Sequence, residues 1–269
     1  RWNLPAAEIA LPIGISYYTF QSITYLVAAW RVQIVVEKPE RLALYLAFFP
    51  TLLAGPICRA GDMLPQYAAT APRAVGETGR IFILLISALV KLLWLNAWLE
   101  ENWTTPILGN PEQYQPIEVL AGLYAYTLYI YLNFSGYTEL VTAFALLLGI
   151  RIADNFNMPY AATNLRDFWQ RWHISLSTWI RDYLYIPLGG NRHGYLRTQV
   201  NLTIAMLLSG LWHGASGNYL IWGAMYAVGI IVLNSCDRLM GKNAVATLSP
   251  ALARYGTIHY IVLPCAVFY

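Results

Sequence analysis

Along the chain, uncharged runs of about twenty residues alternate with short stretches that carry the arginines, lysines and glutamates. A helix needs roughly 20 residues to cross a hydrocarbon layer about 30 Å thick. Five runs come near that length: residues 9–30, 81–99 (interrupted by Lys91), 119–138, 198–212 and 218–236. Two more, residues 42–58 and 140–150, fall short, and Pro50 and Pro56 break the first. Residues 257–269 begin a further apolar run. The pattern predicts an all-α, polytopic membrane protein with residues 1–269 forming a single membrane domain.

Loop charges set the expected orientation, because basic residues are retained on the cytoplasmic side. Residues 31–41 carry Arg31, Lys38 and Arg41, residues 59–80 carry Arg59, Arg73 and Arg80, and residues 151–197 carry six arginines. All three stretches are expected to be cytoplasmic, as is the loop after Cys236 with Arg238, Lys242 and Arg254. Residues 100–118 hold four glutamates and no basic residue, and are expected outside. Residues 42–58 then begin and end on one side, as a re-entrant segment, and residues 198–236 form one in-out-in hairpin.

Residues 164–188, "NLRDFWQRWHISLSTWIRDYLYIPL", follow another pattern. Leu165, Trp169, Trp172, Leu176, Trp179 and Tyr183 recur at spacings of four and three, which predicts one amphipathic helix with a tryptophan-rich face. Arg166, Gln170, His173, Ser177 and Arg181 recur at the same spacing on another face. Asn164 is placed to cap the start, with Asp167 three positions on. Such a helix suits the cytoplasmic boundary of a membrane better than its interior. His173 is then either a solvated histidine on a basic face or part of a polar stripe turned to an internal cavity. In the second case the basic, tryptophan-walled mouth would receive a phosphate-rich acyl carrier.

Composition strengthens the membrane reading: 58% of residues are hydrophobic and 12% charged, against about 25% charged in soluble domains. The 20 tyrosines and 10 tryptophans suit membrane interfaces and polar cavities between helices. A net charge of +3 is scattered over short loops, so nucleic acid is not an expected partner. Cys58, Cys236 and Cys265 lie far apart, with no metal-type spacing, and read as free, buried thiols. Residues 1–30 show no cleavable signal-peptide pattern, and their uncharged run is long enough to stay in the membrane.

Three groups of polar residues stand out within the apolar runs. His213, in "SGLWHGAS", lies sixteen residues beyond Arg197, which is roughly 24 Å of helix and therefore within the membrane's depth. Gly210 and Gly214 bracket it, allowing a helix break or the close approach of another backbone. Two readings stand: a histidine bridging two helices, or an ionisable group held in the membrane for chemistry. Glu139 is the one charge in residues 119–150, following "NFSG" with Asn133, and Lys91 is alone in its run. They are expected to face the protein interior, either as each other's partners or along a polar passage. No P-loop, G-x-G-x-x-G, G-x-S-x-G or H-E-x-x-H is present.

The stretches "LPIGISYYTFQSITYLV" (11–27), "FFPTLLAGPICR" (48–59), "NFSGYTEL" (133–140), "DFWQRWHISLSTWIRDYLYIPLGGNR" (167–192) and "SGLWHG" (209–214) resemble the membrane-bound O-acyltransferases, MBOAT, and most closely their bacterial alginate O-acetyltransferase branch. The motifs fall in family order and cover nearly the whole chain. The resemblance implies a multi-helix bundle, with re-entrant and interfacial helices around a central tunnel, in the bacterial cytoplasmic membrane. It also implies a core that has further helices on both sides in relatives.

By the same resemblance, His213 (Trp-His-Gly) and His173 (Arg-Trp-His) are the catalytic pair, with His213 as the base for an attacking hydroxyl. His173 is expected to orient the acyl donor or to protonate the departing thiolate, with Asn191 or Trp212 nearby. Trp172, Ser177, Arg181 and Asp182 are expected along the tunnel, together with Asn191, Trp212, Asn133 and Glu139. The implied donor is acetyl-CoA or another acyl thioester, with no bound cofactor and no metal. The implied acceptor is an extracytoplasmic polysaccharide or a partner protein that acetylates it, in a setting of membrane lipid. The sequence departs from the branch's usual pattern at Asn133, Glu139 and Met225-Tyr226, which leaves both histidines in place. Without the resemblance, a polysaccharide or lipid transporter and a docking scaffold fit the same polar residues. D-alanyl transfer to teichoic acid is a further alternative.

Overall fold

The structure, a computed structural model, describes residues 14–69, 75–241 and 249–269. The expectations for residues 9–13, Arg73 and Lys242 lie outside these residues. The described residues are all-helical, with no strand among them. The principal helices are α1 (Ile15–Trp30), α2 (Pro39–Leu46), α3 (Phe49–Leu52), α4 (Ala60–Ala68), α5 (Thr78–Leu108), α6 (Pro116–Leu147), α7 (Leu165–Trp169), α8 (Ile174–Ile180), α9 (Gly194–His213), α10 (Gly217–Met240) and α11 (Pro250–Phe268). Three of them, α5, α10 and α11, are long and apolar enough to cross a membrane. Large apolar side chains on α5 point away from the protein, with Phe82, Ile83, Leu93 and Trp94 each about two-thirds exposed, as a lipid-facing helix requires.

Two helices run further than the charge pattern suggests. Residues 119–138 and 140–150 were separated in the sequence by Glu139, yet Pro116–Leu147 is one helix of 32 residues. Its start is well specified: Pro116 occupies the first turn, and Glu118 accepts the Gln115 backbone N–H at 2.8 Å. Glu139 does not interrupt it because Lys91 on α5 meets the carboxylate at 2.5 Å. Likewise, α5 continues past Leu99 to Leu108, so much of the expected external connection 100–118 is helical. It does so in π geometry over Glu100–Leu108, and this wider turn accommodates Pro106, which has no N–H to donate.

Residues 42–58 form two short helices and a coil rather than a span. The prolines explain this, and Tyr45 fixes the segment by donating its hydroxyl to the Cys58 carbonyl at 2.8 Å. Around that bond Tyr25, Phe48, Met63, Leu64, Ala145 and Ile150 form one apolar core. Cys58 is buried within it; Cys236 and Cys265 are partly buried, and all three are free.

The hairpin expected over residues 198–236 is α9 packed on α10. A Cβ on Gly210 would lie 2.1 Å from the Tyr219 carbonyl oxygen, and one on Gly223 2.4 Å from that of Met206. Only glycine permits this approach, and it brings the end of α9, with His213, against the start of α10.

The single amphipathic helix expected over residues 164–188 is three pieces: α7, then α8, then a π turn at Arg181–Tyr185. Asn164 caps α7 as expected, accepting the Asp167 N–H at 2.9 Å. The helix breaks because the coil at residues 155–157 takes its backbone groups: Asn157 N–H donates to the Arg171 carbonyl and Ile174 N–H to that of Asn155, both at 2.9 Å. His173 sits at the break with φ 43°, in the left-handed region that few side chains occupy.

Candidate active site

The break at residue 173 turns His173 inward, and the tight α9–α10 hairpin brings His213 to the same place. His173 is 3% exposed, which excludes the solvated reading. Both imidazoles line one cavity of about 300 Å³, together with Asn133, Phe134, Trp172, Ser209, Trp222, Cys265 and Phe268. Among the described residues no Asp, Glu, Lys or Arg lines it. The Trp212 ring packs against both histidines, its centroid 6.0 Å from that of His173 and 4.7 Å from that of His213. Phe134 packs edge-on to His173 at 4.7 Å. His213 is caged by Trp222 at 5.0 Å and Phe268 at 5.1 Å.

One hydrogen bond fixes His173. Its Nδ1 meets Asn155 Oδ1 at 3.1 Å, while its Nε2 is buried without a protein partner. Asn155 also accepts from Ser175 N–H at 3.1 Å and Ser175 Oγ–H at 2.9 Å, and Ser175 Oγ in turn accepts the Ile57 N–H at 2.9 Å.

A second cavity, of about 770 Å³, adjoins the first and shares Trp169, Leu176 and Ser209 with it. Ser177, Arg181 and Asn191 line it, with Arg166, Gln170, Gln199, Asn234 and Asp237. Arg166 bonds Asn234 at 2.9 Å and forms an ion pair with Asp237, and Asn234 donates to Gln199 at 3.0 Å. A third space, of about 360 Å³, continues from the second through Arg181, Tyr185 and Asn191 to Arg192.

Of the residues singled out in the sequence, His173, His213, Trp172 and Asn133 come together on the smaller cavity. Ser177, Arg181 and Asn191 lie on the larger one, and Trp212 packs against both histidines. Two lie elsewhere. Glu139 pairs with Lys91, and Asp182 sits between Arg59 at 2.6 Å and Arg181 at 2.7 Å. Burial alone would raise the Asp182 carboxyl, but hydrogen bonds from the two guanidiniums hold it below the usual carboxylate range. Among the described residues no three His, Cys, Asp or Glu side chains converge as metal ligands.

Sequence reasoning missed Asn155 and the aromatic cage. Asn155 lies in a coil with no periodicity to mark it, and the cage is drawn from helices far apart in the chain. The Trp and Phe positions of α10 and α11 read only as membrane residues until the helices are packed.

The fold and the site define a membrane protein of many helices with two imidazoles on one cavity. The profile of MBOAT, the membrane-bound O-acyltransferase family, matches residues 39–265, and the chain belongs to that family. It is 37% identical over 265 residues to the "Probable alginate O-acetylase AlgI" of Pseudomonas aeruginosa, covering 97% of this chain and 49% of that protein. It is 30% identical over 289 residues to the "Peptidoglycan O-acetyltransferase" of Helicobacter pylori, covering 97% of this chain and 54% of that one. With the "Teichoic acid D-alanyltransferase" of Bacillus subtilis it shares 29% identity over 234 residues, 80% of this chain and 57% of the other. The chain thus spans about half the length of these relatives.

Proposed function

We propose that this chain is the reacting core of a multi-pass O-acyltransferase in the bacterial inner membrane. It takes an acetyl or other short acyl group from a cytoplasmic thioester such as acetyl-CoA. It delivers that group to an extracytoplasmic polysaccharide hydroxyl, or to a partner protein that acetylates the polymer. The observation that carries this reading is that His173 and His213 open onto one cavity of about 300 Å³ that shares three wall residues with an arginine-bearing cavity.

The chemistry follows from those surroundings. Acyl transfer between a thioester and a hydroxyl needs a neutral imidazole to receive the hydroxyl proton and return it to the sulfur. Phosphates on the donor suit Arg181 and Arg192 at the outer end, since guanidinium groups bind phosphate oxygens in pairs. The arginine-rich stretch 151–197 supports a cytoplasmic position for that end. Family membership and the O-acetylating names of two relatives support the reaction class.

A transporter would keep its charged residues along the passage. Here Lys91 and Glu139 bind each other instead, and neither lines the histidine cavity. The test uses the full-length protein in native membranes, supplied with acetyl-labelled acetyl-CoA. Wild type is expected to transfer label to polymer or to a partner protein. His213→Ala, at an equal membrane level, is expected to transfer none. Equal labelling by both would refute the assignment of His213. Label taken only from a D-alanyl carrier would replace the donor while keeping the reaction class.

A further inference from the structure

Asp182 lines none of the three cavities, yet its carboxylate is divided between two arginines. Oδ1 accepts from Arg181 Nε at 2.7 Å, and Oδ2 meets Arg59 at 2.6 Å. Arg59 is itself placed from two sides. It follows Cys58, which is buried with its carbonyl on the Tyr45 hydroxyl, and its guanidinium lies 5.7 Å from the centroid of the Tyr183 ring. The end of the 42–58 segment thus fixes the carboxylate, and the carboxylate fixes Arg181.

Arg181 is held by one nitrogen of three. Among the described residues its Nη1 and Nη2 have no hydrogen-bond partner, and its side chain is 59% exposed, so a ligand can reach them. Those two nitrogens form the edge of a guanidinium that matches two oxygens of a phosphate. A free arginine loses rotamer freedom when it grips a ligand, whereas one already held at Nε has lost much of it beforehand. Arg192 offers no such edge, because its Nε and Nη2 face the Gly189 and Ile186 carbonyls at 3.4 and 3.2 Å. Position separates the two arginines as well. Arg181 lines both the second cavity and the third space, whereas Arg192 lines only the third. With the arm of a thioester donor in the second cavity, Arg181 stands where the arm meets its first phosphate.

We infer that Asp182 is a positioning residue: tethered by Arg59, it aims the free edge of Arg181 at the phosphate at the head of a pantetheine arm. Acetyl-CoA and carrier-bound acyl thioesters have that phosphate in common, so the assignment holds for either donor. The inference rests on the acyl-transfer reading, and the experiment separates the two.

The full-length protein in membranes is assayed with two acetyl-labelled donors that differ by one phosphate, S-acetyl-phosphopantetheine and S-acetylpantetheine, and with acetyl-CoA. For wild type, KM is expected to be at least about tenfold lower for the phosphorylated arm than for the bare one. Asp182→Ala is expected to raise KM for the phosphorylated arm about tenfold, leaving KM for the bare arm and kcat for both within about threefold. A merely structural fault would lower transfer from both donors alike. Asp182 also offsets guanidinium charge, so a purely electrostatic role predicts the opposite, a lower KM for the phosphorylated arm in Asp182→Ala. Arg181→Gln should match Asp182→Ala, and the double variant should be no worse than Arg181→Gln alone, since Asp182 acts through Arg181. If Asp182→Ala fails to accumulate, Asp182→Asn is read against the same expectations, because its amide accepts from one guanidinium and turns an N–H towards the other.

An unchanged or lower KM for the phosphorylated arm in the Asp182 variant overturns the inference, as do losses that multiply in the double variant. A wild type that does not distinguish the two arms overturns it too, as does one that uses acetyl-CoA but neither arm. A wild type that takes acetyl from none of the three donors overturns the reading beneath it.

Discussion

Lys91 and Glu139 are the single charges of two apolar runs, residues 81–99 and 119–150, and the pair they form makes both tolerable. Lys91 Nζ meets Glu139 Oε1 at 2.5 Å and lies 5.7 Å from the centroid of the Tyr131 ring. Their side chains are 17% and 24% exposed, so water screens the pair only in part. Removing one partner strands the other in an apolar setting, whereas replacing both with apolar residues removes the desolvation penalty of each. Glu139→Leu is therefore expected to destabilise the full-length protein by roughly 2 kcal/mol, less than a fully buried pair would give because of the partial exposure. The Lys91→Leu, Glu139→Leu double variant should recover most of that loss in a thermal melt in detergent. A double variant no more stable than the single one would mean that the pair contributes through its surroundings and not through charge. At this same scale His213 was legible in the sequence because a histidine in an uncharged run is conspicuous. Asn155 was not, because an asparagine in a coil resembles any loop residue until its partners at positions 173 and 175 are brought to it.

Among the elements, periodicity located the helices well and their interruptions poorly. Residues 165–183 keep their four-and-three spacing straight through the break at His173, since the apolar positions on both sides still pack inward. What breaks the helix is a set of backbone hydrogen bonds from residues 155–157, a long-range competition that leaves no local mark. The α9–α10 hairpin is the opposite case: Gly210 and Gly214 pointed to either a helix break or the close approach of another backbone, and at Gly210 the structure shows the approach. Adding bulk at that contact should be costly, because the atom a Cβ would strike is backbone rather than a flexible side chain. Gly223→Val is expected to force α9 and α10 apart at Met206, with a loss on the order of 1–3 kcal/mol. His213 ends α9, so transfer should fall further than the lost stability alone explains. Measuring specific activity per folded molecule in membranes makes that comparison. Activity that falls only in step with the folded fraction would mean that hairpin spacing does not position His213.

At the scale of the molecule, the three cavities of about 360, 770 and 300 Å³ lie in sequence, each sharing wall residues with the next, from Arg192 at one end to the two histidines at the other. The inner boundary is narrow in chemical terms: Trp169, Leu176 and Ser209 are the residues common to the second and third. A thioester entering from the arginine end would have to pass its acyl group between them to reach His173 and His213. Ser209, buried and small, is where that passage is easiest to close. Ser209→Leu is expected to leave acetyl-CoA binding to the purified full-length protein within about threefold by calorimetry, since Arg192 lines the outermost cavity, which Ser209 does not reach. Transfer should drop at least about tenfold, because a misplaced reacting group forfeits the proximity on which the rate depends. Ser209→Ala, which narrows nothing, should transfer at close to the wild-type rate and thereby separates blockage from loss of the hydroxyl. Equal transfer by Ser209→Leu and wild type would mean that the acyl group reaches the histidines by another route. The larger cavity would then have to be reassigned from donor passage to some other ligand.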